Sequence, residues 1–226
     1  MKYFVSLILF FGLCSTSSAQ FTGELILEPD GCEKTRKCFT KYPLHYKAPN
    51  QIEWEAKAGL ETDGASIPFW AQPYIGSPYD KSFIKAAVVH DHYCDKHVRS
   101  WRQTHRVFYS MLRSLEVPEI KSKIMYYAVF IGGPKWLKLV IGDNCGPNCI
   151  NVYNQLNKLD RVIYEPEKYS SINDLDEKLK QMENRLLQSN LSLEEIEELA
   201  IAEDPDNFYY LNESTYPYDP KAGINR

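Results

Sequence analysis

Basic excess is missing from this chain: 26 lysines and arginines stand against 30 aspartates and glutamates, a formal net charge of -4 over 226 residues. Without a positive field to attract phosphates, nucleic acid is not an expected partner. After the N-terminal stretch there is no apolar run long enough to span a bilayer. Three catalytic signatures are also absent: a phosphate-binding glycine loop, a Gly-x-Ser-x-Gly elbow and a His-Glu-x-x-His helix. What is present is 44% hydrophobic residues, enough for a real core, in a length that allows one domain and an appendage.

The N-terminus reads as a secretory signal. Lys2 supplies charge, Tyr3 to Leu13 is apolar, and Ser17-Ser18-Ala19 offers small residues for cleavage before Gln20. An uncleaved anchor is the weaker reading, because the apolar stretch is short and ends in small polar residues. The expected location is therefore secreted or periplasmic, where disulfides persist. Of six cysteines, Cys14 falls within the signal. Close spacing suggests Cys32-Cys38 and Cys145-Cys149 as local staples, with Cys94 left as a buried helix thiol. A four-cysteine zinc site is the rival, although neither pair has the two-residue knuckle spacing.

Short alternating runs over 22–60, Leu25/Leu27 and Ile52/Trp54/Ala56, broken by Pro29-Asp30-Gly31 and Ala48-Pro49-Asn50, predict strands of a small antiparallel sheet. The period then becomes helical. One helix is expected over Asp80 to His97, a second over Trp101 to Leu115, and a third opened by Pro118 and broken at Gly132-Gly133-Pro134. Residues 171–203 predict two acidic amphipathic helices, Leu175/Leu179/Met182/Leu186 and Leu193/Ile196/Leu199, the second opened by a Ser192 to Glu195 capping box. These read as an extension packed on the core rather than a repeat array or a partner-binding arm. The fold class is thus α+β: a signal over 1–19, a domain over 20–150 (strands 22–60, motif loop 62–68, helices 80–139), then a helical extension and irregular tail over 151–226.

The run Ala86-Ala87-Val88-Val89-His90-Asp91 puts two reactive side chains inside an apolar helix, where buried ionisable groups need partners. If the first two helices form an antiparallel hairpin, His90 and His105 differ in axial position by only about 3 Å, and both rings can enter the gap between helices about 8–10 Å apart. A core histidine bonded to backbone is the bland alternative for His105. His45, His92 and His97 are expected at the surface.

With the polar loop Thr62-Asp63-Gly64-Ala65-Ser66-Ile67-Pro68, preceded by Trp54 and Gly59, the Arg102 to Leu112 helix and Tyr126-Tyr127-Ala128-Val129, these residues resemble a family of bacterial and phage proteins, domain of unknown function 1353, over about residues 50–136. More remotely, a Gly-containing loop followed by a His-Asp helix and an antiparallel helix is similar to secreted phospholipase A2. That resemblance implies His90 as general base on water, Asp91 as a calcium ligand, and carbonyls of Asp63, Gly64 and Ala65 completing the ion site. It departs from the pattern at His105, where the phospholipase helix carries an aspartate, and at Cys94, which has no cysteine to meet in the second helix.

The leading expectation is a calcium-assisted lipid-ester hydrolase, with His90 and His105 catalytic, Asp91, Asp63, Gly64 and Ala65 at the metal, and Trp70 and Tyr74 along an acyl slot. Its partner would be phospholipid or another envelope component. Two alternatives stand beside it. One is an envelope amide or ester hydrolase binding zinc or iron through His90, Asp91 and His105; the other is a non-catalytic binding or structural module.

Overall fold

In a computed structural model of the chain, the structure describes residues 19–141, 162–172, 174–212 and 214–218. Six short strands come first: β1 (Gln20–Thr22), β2 (Leu27–Glu28), β3 (Cys38–Thr40), β4 (Leu44–Lys47), β5 (Glu53–Ala56) and β6 (Glu61–Thr62). They form two antiparallel sheets, β1-β4-β5 and β2-β3-β6, where one sheet was expected. The expected Cys32–Cys38 disulfide is formed next to β3. Alternation decides the faces of the first sheet: Leu44, Tyr46, Trp54 and Ala56 are buried, while the intervening His45, Lys47, Glu53 and Glu55 face water.

A short helix, α1 (Gln72–Ile75), leads into the antiparallel pair α2 (Ile84–Lys96) and α3 (Trp101–Ser114), followed by α4 (Glu119–Gly132). Asp80 stops α2 from starting earlier, since its Oδ1 accepts from the Ser82 N–H and hydroxyl at 2.9 and 2.7 Å. Those same bonds hold the Asp80 carboxyl below its ordinary range. His97 ends α2 in the left-handed conformation, and Ser100 caps α3 by accepting from the Gln103 N–H. Of these helices α2 and α3 pack on the first sheet, and the Tyr46 hydroxyl meets Ser110 Oγ at 2.7 Å.

Two expectations fail beyond this point. The helical stretch ends at Gly132, and residues 135–141 form a strand, β7 (Lys135–Ile141). The tail read as irregular holds another, β9 (Thr215–Tyr218), parallel to β7, while β8 (Val162–Glu165) pairs with β7 on its other side, antiparallel. A strand exists only with partners, and both of these lie far along the chain. Trp136 Nε1 donates to the Arg99 carbonyl at 2.7 Å, which ties β7 to the α2–α3 turn.

The acidic extension folds as α5 (Leu175–Gln188), α6 (Leu193–Glu203) and the single turn α7 (Phe208–Leu211). Both bonds of the Ser192–Glu195 capping box are made. Leu175, Leu179, Met182, Leu186 and Ile196 join the same core as Trp54 and Phe83, so the extension is part of the domain's interior. Each such leucine or methionine contributes about 1.5–3 kcal/mol on burial. Glu197 is the exception to the acidic outer face: only 3% exposed, it accepts from Arg106 Nε at 2.6 Å and from the Tyr126 hydroxyl, with Arg102 Nη1 3.4 Å away. Among the described residues no helix is long and apolar enough to cross a membrane.

Because Glu197 is enclosed while both arginines still reach water, its loss should strand the Tyr126 hydroxyl more than the guanidinium groups. Glu197→Ala is expected to lower stability by about 2–3 kcal/mol, against about 1 kcal/mol for Ser192→Ala, a lost helix cap. Urea unfolding midpoints of the two variants test this order; a Glu197→Ala cost no larger than the cap's would show that hydrophobic contacts alone dock α6.

Candidate functional site

The α2–α3 hairpin brings the two histidines together at hydrogen-bond distance: His90 Nε2 lies 2.9 Å from His105 Nδ1. Both rings are buried, His105 completely. Cys94, one helical turn after His90, points its Sγ at the same place, 3.6 Å from His90 Nε2. These three side chains form a buried group whose donor atoms all lie within 4.8 Å of one another. Asp91 stands on the outer side of His90, with Oδ1 3.5 Å from Nδ1, the nitrogen turned away from His105. The third member of the cluster is therefore Cys94, where a set of His90, Asp91 and His105 was expected.

Burial sets the protonation states. It pushes the His105 imidazole well below its ordinary value, helped by the nearby positive charges of His90 and Lys135, so the ring is neutral. Desolvation also raises the Cys94 thiol well above its usual range and raises the Asp91 carboxyl, the latter opposed by the hydrogen bond and charge of His90. Behind His105, burial pulls the Lys135 ammonium down to about 7, and its Nζ donates to the Ile131 and Gly133 carbonyls.

The donor types of the cluster are those of a zinc site. Zn–N bonds of about 2.0–2.1 Å and Zn–S of about 2.3 Å place two nitrogens about 3.4 Å apart and nitrogen and sulfur about 3.6 Å apart. The sulfur–nitrogen distance matches. The nitrogen–nitrogen distance is shorter, as expected when a shared proton holds the rings. Metal-ligating histidines usually offer their second nitrogen to a carboxylate or a carbonyl. Here His90 Nδ1 faces Asp91, while His105 Nε2 has no hydrogen-bond partner of good geometry and lies against Gly133–Pro134.

A cavity of about 550 Å³ opens from His90, Asp91 and Cys94. Its inner wall is apolar, with Ile75, Ile124, Met125, Leu175 and Leu179 on it, and its mouth carries Glu61, Asp63, Asp95 and Glu167. The 62–68 loop forms another wall through Asp63, Ala65 and Ser66; Gly64 does not line it. Gly64 instead fixes the loop, with φ +84° and no room for a Cβ, which would lie 2.8 Å from the Pro78 carbonyl oxygen. The Ala65 N–H donates to that same carbonyl at 2.8 Å.

Other expected residues are placed differently. The Asp63 carboxylate, half exposed, is engaged by Arg36 at 2.8 Å, and the Ala65 carbonyl accepts from the Ile67 N–H at 2.7 Å. Trp70 and Tyr74 side chains, and all of Cys145 and Cys149, lie outside the described residues. His45 is exposed as expected, but His92 is buried because the β4–β5 sheet covers that face of α2, and burial lowers its pKa. The His97 ring packs between Trp136 and Tyr164, at 4.9 and 5.0 Å between centroids. Cys94 as a third donor beside the histidines was not read, although its four-residue spacing from His90 on one helix face was the readable signal.

Residues 40–129 match the model of a protein family of unknown function, DUF1353. The chain is 41% identical over 138 residues to uncharacterized protein y4iH of Sinorhizobium fredii, covering 53% of this chain and 58% of that one. It is 36% identical over 137 residues to uncharacterized protein y4jT of the same organism, covering 58% and 40%. The chain thus spans about half the length of the curated relatives it matches. No solved structure matches the chain. His90, Asp91, Cys94 and His105 all fall inside the DUF1353 segment, whereas the cavity wall made by Pro134, Tyr164, Leu175 and Leu179 falls beyond it.

The position of His105 depends on Gly133, where a Cβ would stand 2.4 Å from the Val129 carbonyl oxygen and 3.2 Å from His105 Nε2. Gly133→Ala is expected to cost about 1–3 kcal/mol and to move the His105 ring. Nitrogen NMR of labelled histidines would register the displacement, and unchanged His105 signals would show that the backbone yields there without touching the site.

Proposed function

We propose that this protein is a metal-dependent hydrolase of acyl esters or amides, acting as a secreted or periplasmic enzyme. The observation that supports it is the convergence of His90 Nε2, Cys94 Sγ and His105 Nδ1, with His90 and Cys94 on the wall of a cavity that also carries a buried apolar surface. Two nitrogens and a thiolate suit zinc over calcium, which takes oxygen ligands. Three protein ligands are the complement of catalytic zinc sites, whereas structural sites close with four. A zinc ion held there would supply a polarising charge for a water and for an acyl carbonyl.

The residues of the chain do the rest. Asp91 fixes the His90 ring through Nδ1, which selects Nε2 as its ligating atom, and its carboxylate borders the cavity where a water proton must go. His105, neutral and fully enclosed, keeps its Nδ1 lone pair available. The Gly64-anchored loop lines the same cavity as Asp91 through Ala65 and Ser66 and would limit water around the reacting carbonyl.

A second reading, calcium-assisted ester hydrolysis of the phospholipase A2 kind with His90 as base, draws on one observation: Asp91 and the 63–66 loop border the same cavity. Its ion would find Asp91 turned to His90, the Asp63 carboxylate held by Arg36 and the Ala65 carbonyl already bonded.

Metal analysis of the purified protein, with hydrolysis of short acyl esters and amides under zinc, calcium or chelator, tests these readings. We expect one zinc per chain, activity lost to chelator and restored by zinc, zinc lost in Cys94→Ser, and zinc affinity lowered about 10- to 100-fold in Asp91→Asn. Activity that needs calcium and survives Cys94→Ser would favour the second reading. Folded protein that neither binds metal nor hydrolyses these substrates would leave the histidine pair a structural hydrogen bond.

A further inference from the structure

Resting on the reading above, we infer that the substrate is a single-tailed amphiphile, an acyl chain joined by ester or amide to a cationic leaving group. The chain would lie in the cavity and the cation at its mouth. Two independent features carry this. Among the walls are the buried Ala87, Phe108, Ile124, Val129, Leu175 and Leu179, which offer a tail dispersion and dry surface. The volume of about 550 Å³ falls within the range of small-molecule pockets. It is a slot with one polar end, and a molecule that fits it has one reacting end.

The mouth is of one sign. Among the described residues that line the cavity there are five carboxylates, Glu61, Asp63, Asp91, Asp95 and Glu167, and no lysine or arginine. Only Asp63 is neutralised by an arginine, Arg36. Tyr164, part of whose ring packs on His97 while the rest is exposed, lines the same cavity. Clefts lined by one sign of charge concentrate the opposite one and repel their own. An anionic headgroup is therefore disfavoured, and a cationic one is drawn to the position the leaving group must occupy.

The chemistry balances without any further reactant. Water adds across the acyl bond: its oxygen forms the new carbon–oxygen bond, and the bond to the alcohol oxygen or amine nitrogen breaks. The leaving atom keeps the electron pair and takes up one proton of the water, and the other passes to solvent as the acid ionises. The product is a fatty carboxylate facing acidic side chains, so the field that favours the substrate also favours release of the acid. Of the tail-lining residues, Ala87, Phe108, Ile124 and Val129 lie inside the family-matched segment, and Leu175 and Leu179 of α5 lie outside it.

The test compares acylcholines with monoacylglycerols of matched tails from four to fourteen carbons, all as monomers, using the zinc-loaded full chain. We expect kcat/KM to rise by up to about fourfold per added methylene until the slot is full, and acylcholine to exceed the glycerol ester on the order of tenfold at low salt. Leu179→Phe should move the plateau to shorter tails with zinc content unchanged, and Glu167→Gln should lower the choline preference on the order of threefold. Hydrolysis indifferent to tail length, or equal for the two headgroups, overturns the inference while leaving the hydrolase reading intact. Calorimetry with decyltrimethylammonium and decyl sulfate covers the converse. Preferential binding of the cation without hydrolysis of any ester keeps the slot and removes the hydrolase reading; binding of neither, or of the anion, overturns the inference.

Discussion

Two imidazoles and a thiol, buried with Phe108 and Trp101 against the rings, are held together by one constraint: an unpaired buried polar group costs more than a hydrogen bond returns. That requirement acts on the register of α2 against α3. A shift of one residue along either helix turns a ring by about 100° and moves it by about 1.5 Å, enough to break the 2.9 Å contact between His90 and His105. The devices that set the register are therefore part of the site. These are the Asp80 turn before α2, the left-handed His97 and the Ser100 cap between the helices, and the Trp136 bond to the Arg99 carbonyl.

The surrounding structure serves this constraint from three directions. The β1-β4-β5 sheet covers the face of α2 that carries His92 and Tyr93. The Gly132-Gly133-Pro134 break lets β7 cross behind His105 with no side chain at Gly133, so the ring packs directly on backbone. On the cavity side, α5 supplies Leu175 and Leu179, and α6 is pinned to α3 and α4 by Glu197 with Arg102, Arg106 and Tyr126. An acidic helix pair that seems by composition to be a solvated appendage thus completes both the core and the slot.

Much of the local structure was legible. The three central helices follow from apolar spacing, the Ser192–Glu195 box marks the start of α6, and the close pair Cys32 and Cys38 is bridged. So was the meeting of His90 with His105, because a short turn between antiparallel helices leaves little freedom in axial position. Cys94 was readable as a buried thiol but not as a third donor, since helical spacing says which face a side chain shares and not which neighbour its sulfur meets. Similarly, the Asp63 carboxylate was placed by Arg36, 27 residues earlier, a partner that no local pattern reveals.

Where neighbours within about one turn decide, the amino-acid order alone was enough: helix limits, caps, the disulfide and the α+β class. Where the decision rests on what arrives from far along the chain, only the folded molecule settles it. β7 and β9 are strands because they pair with each other across more than seventy residues, which leaves no short-range period to read. Glu197 is buried because two arginines and a tyrosine from other helices await it. The cavity, likewise, is a gap between α2, α4, α5 and the 62–68 loop, and its walls exist only once those elements have packed.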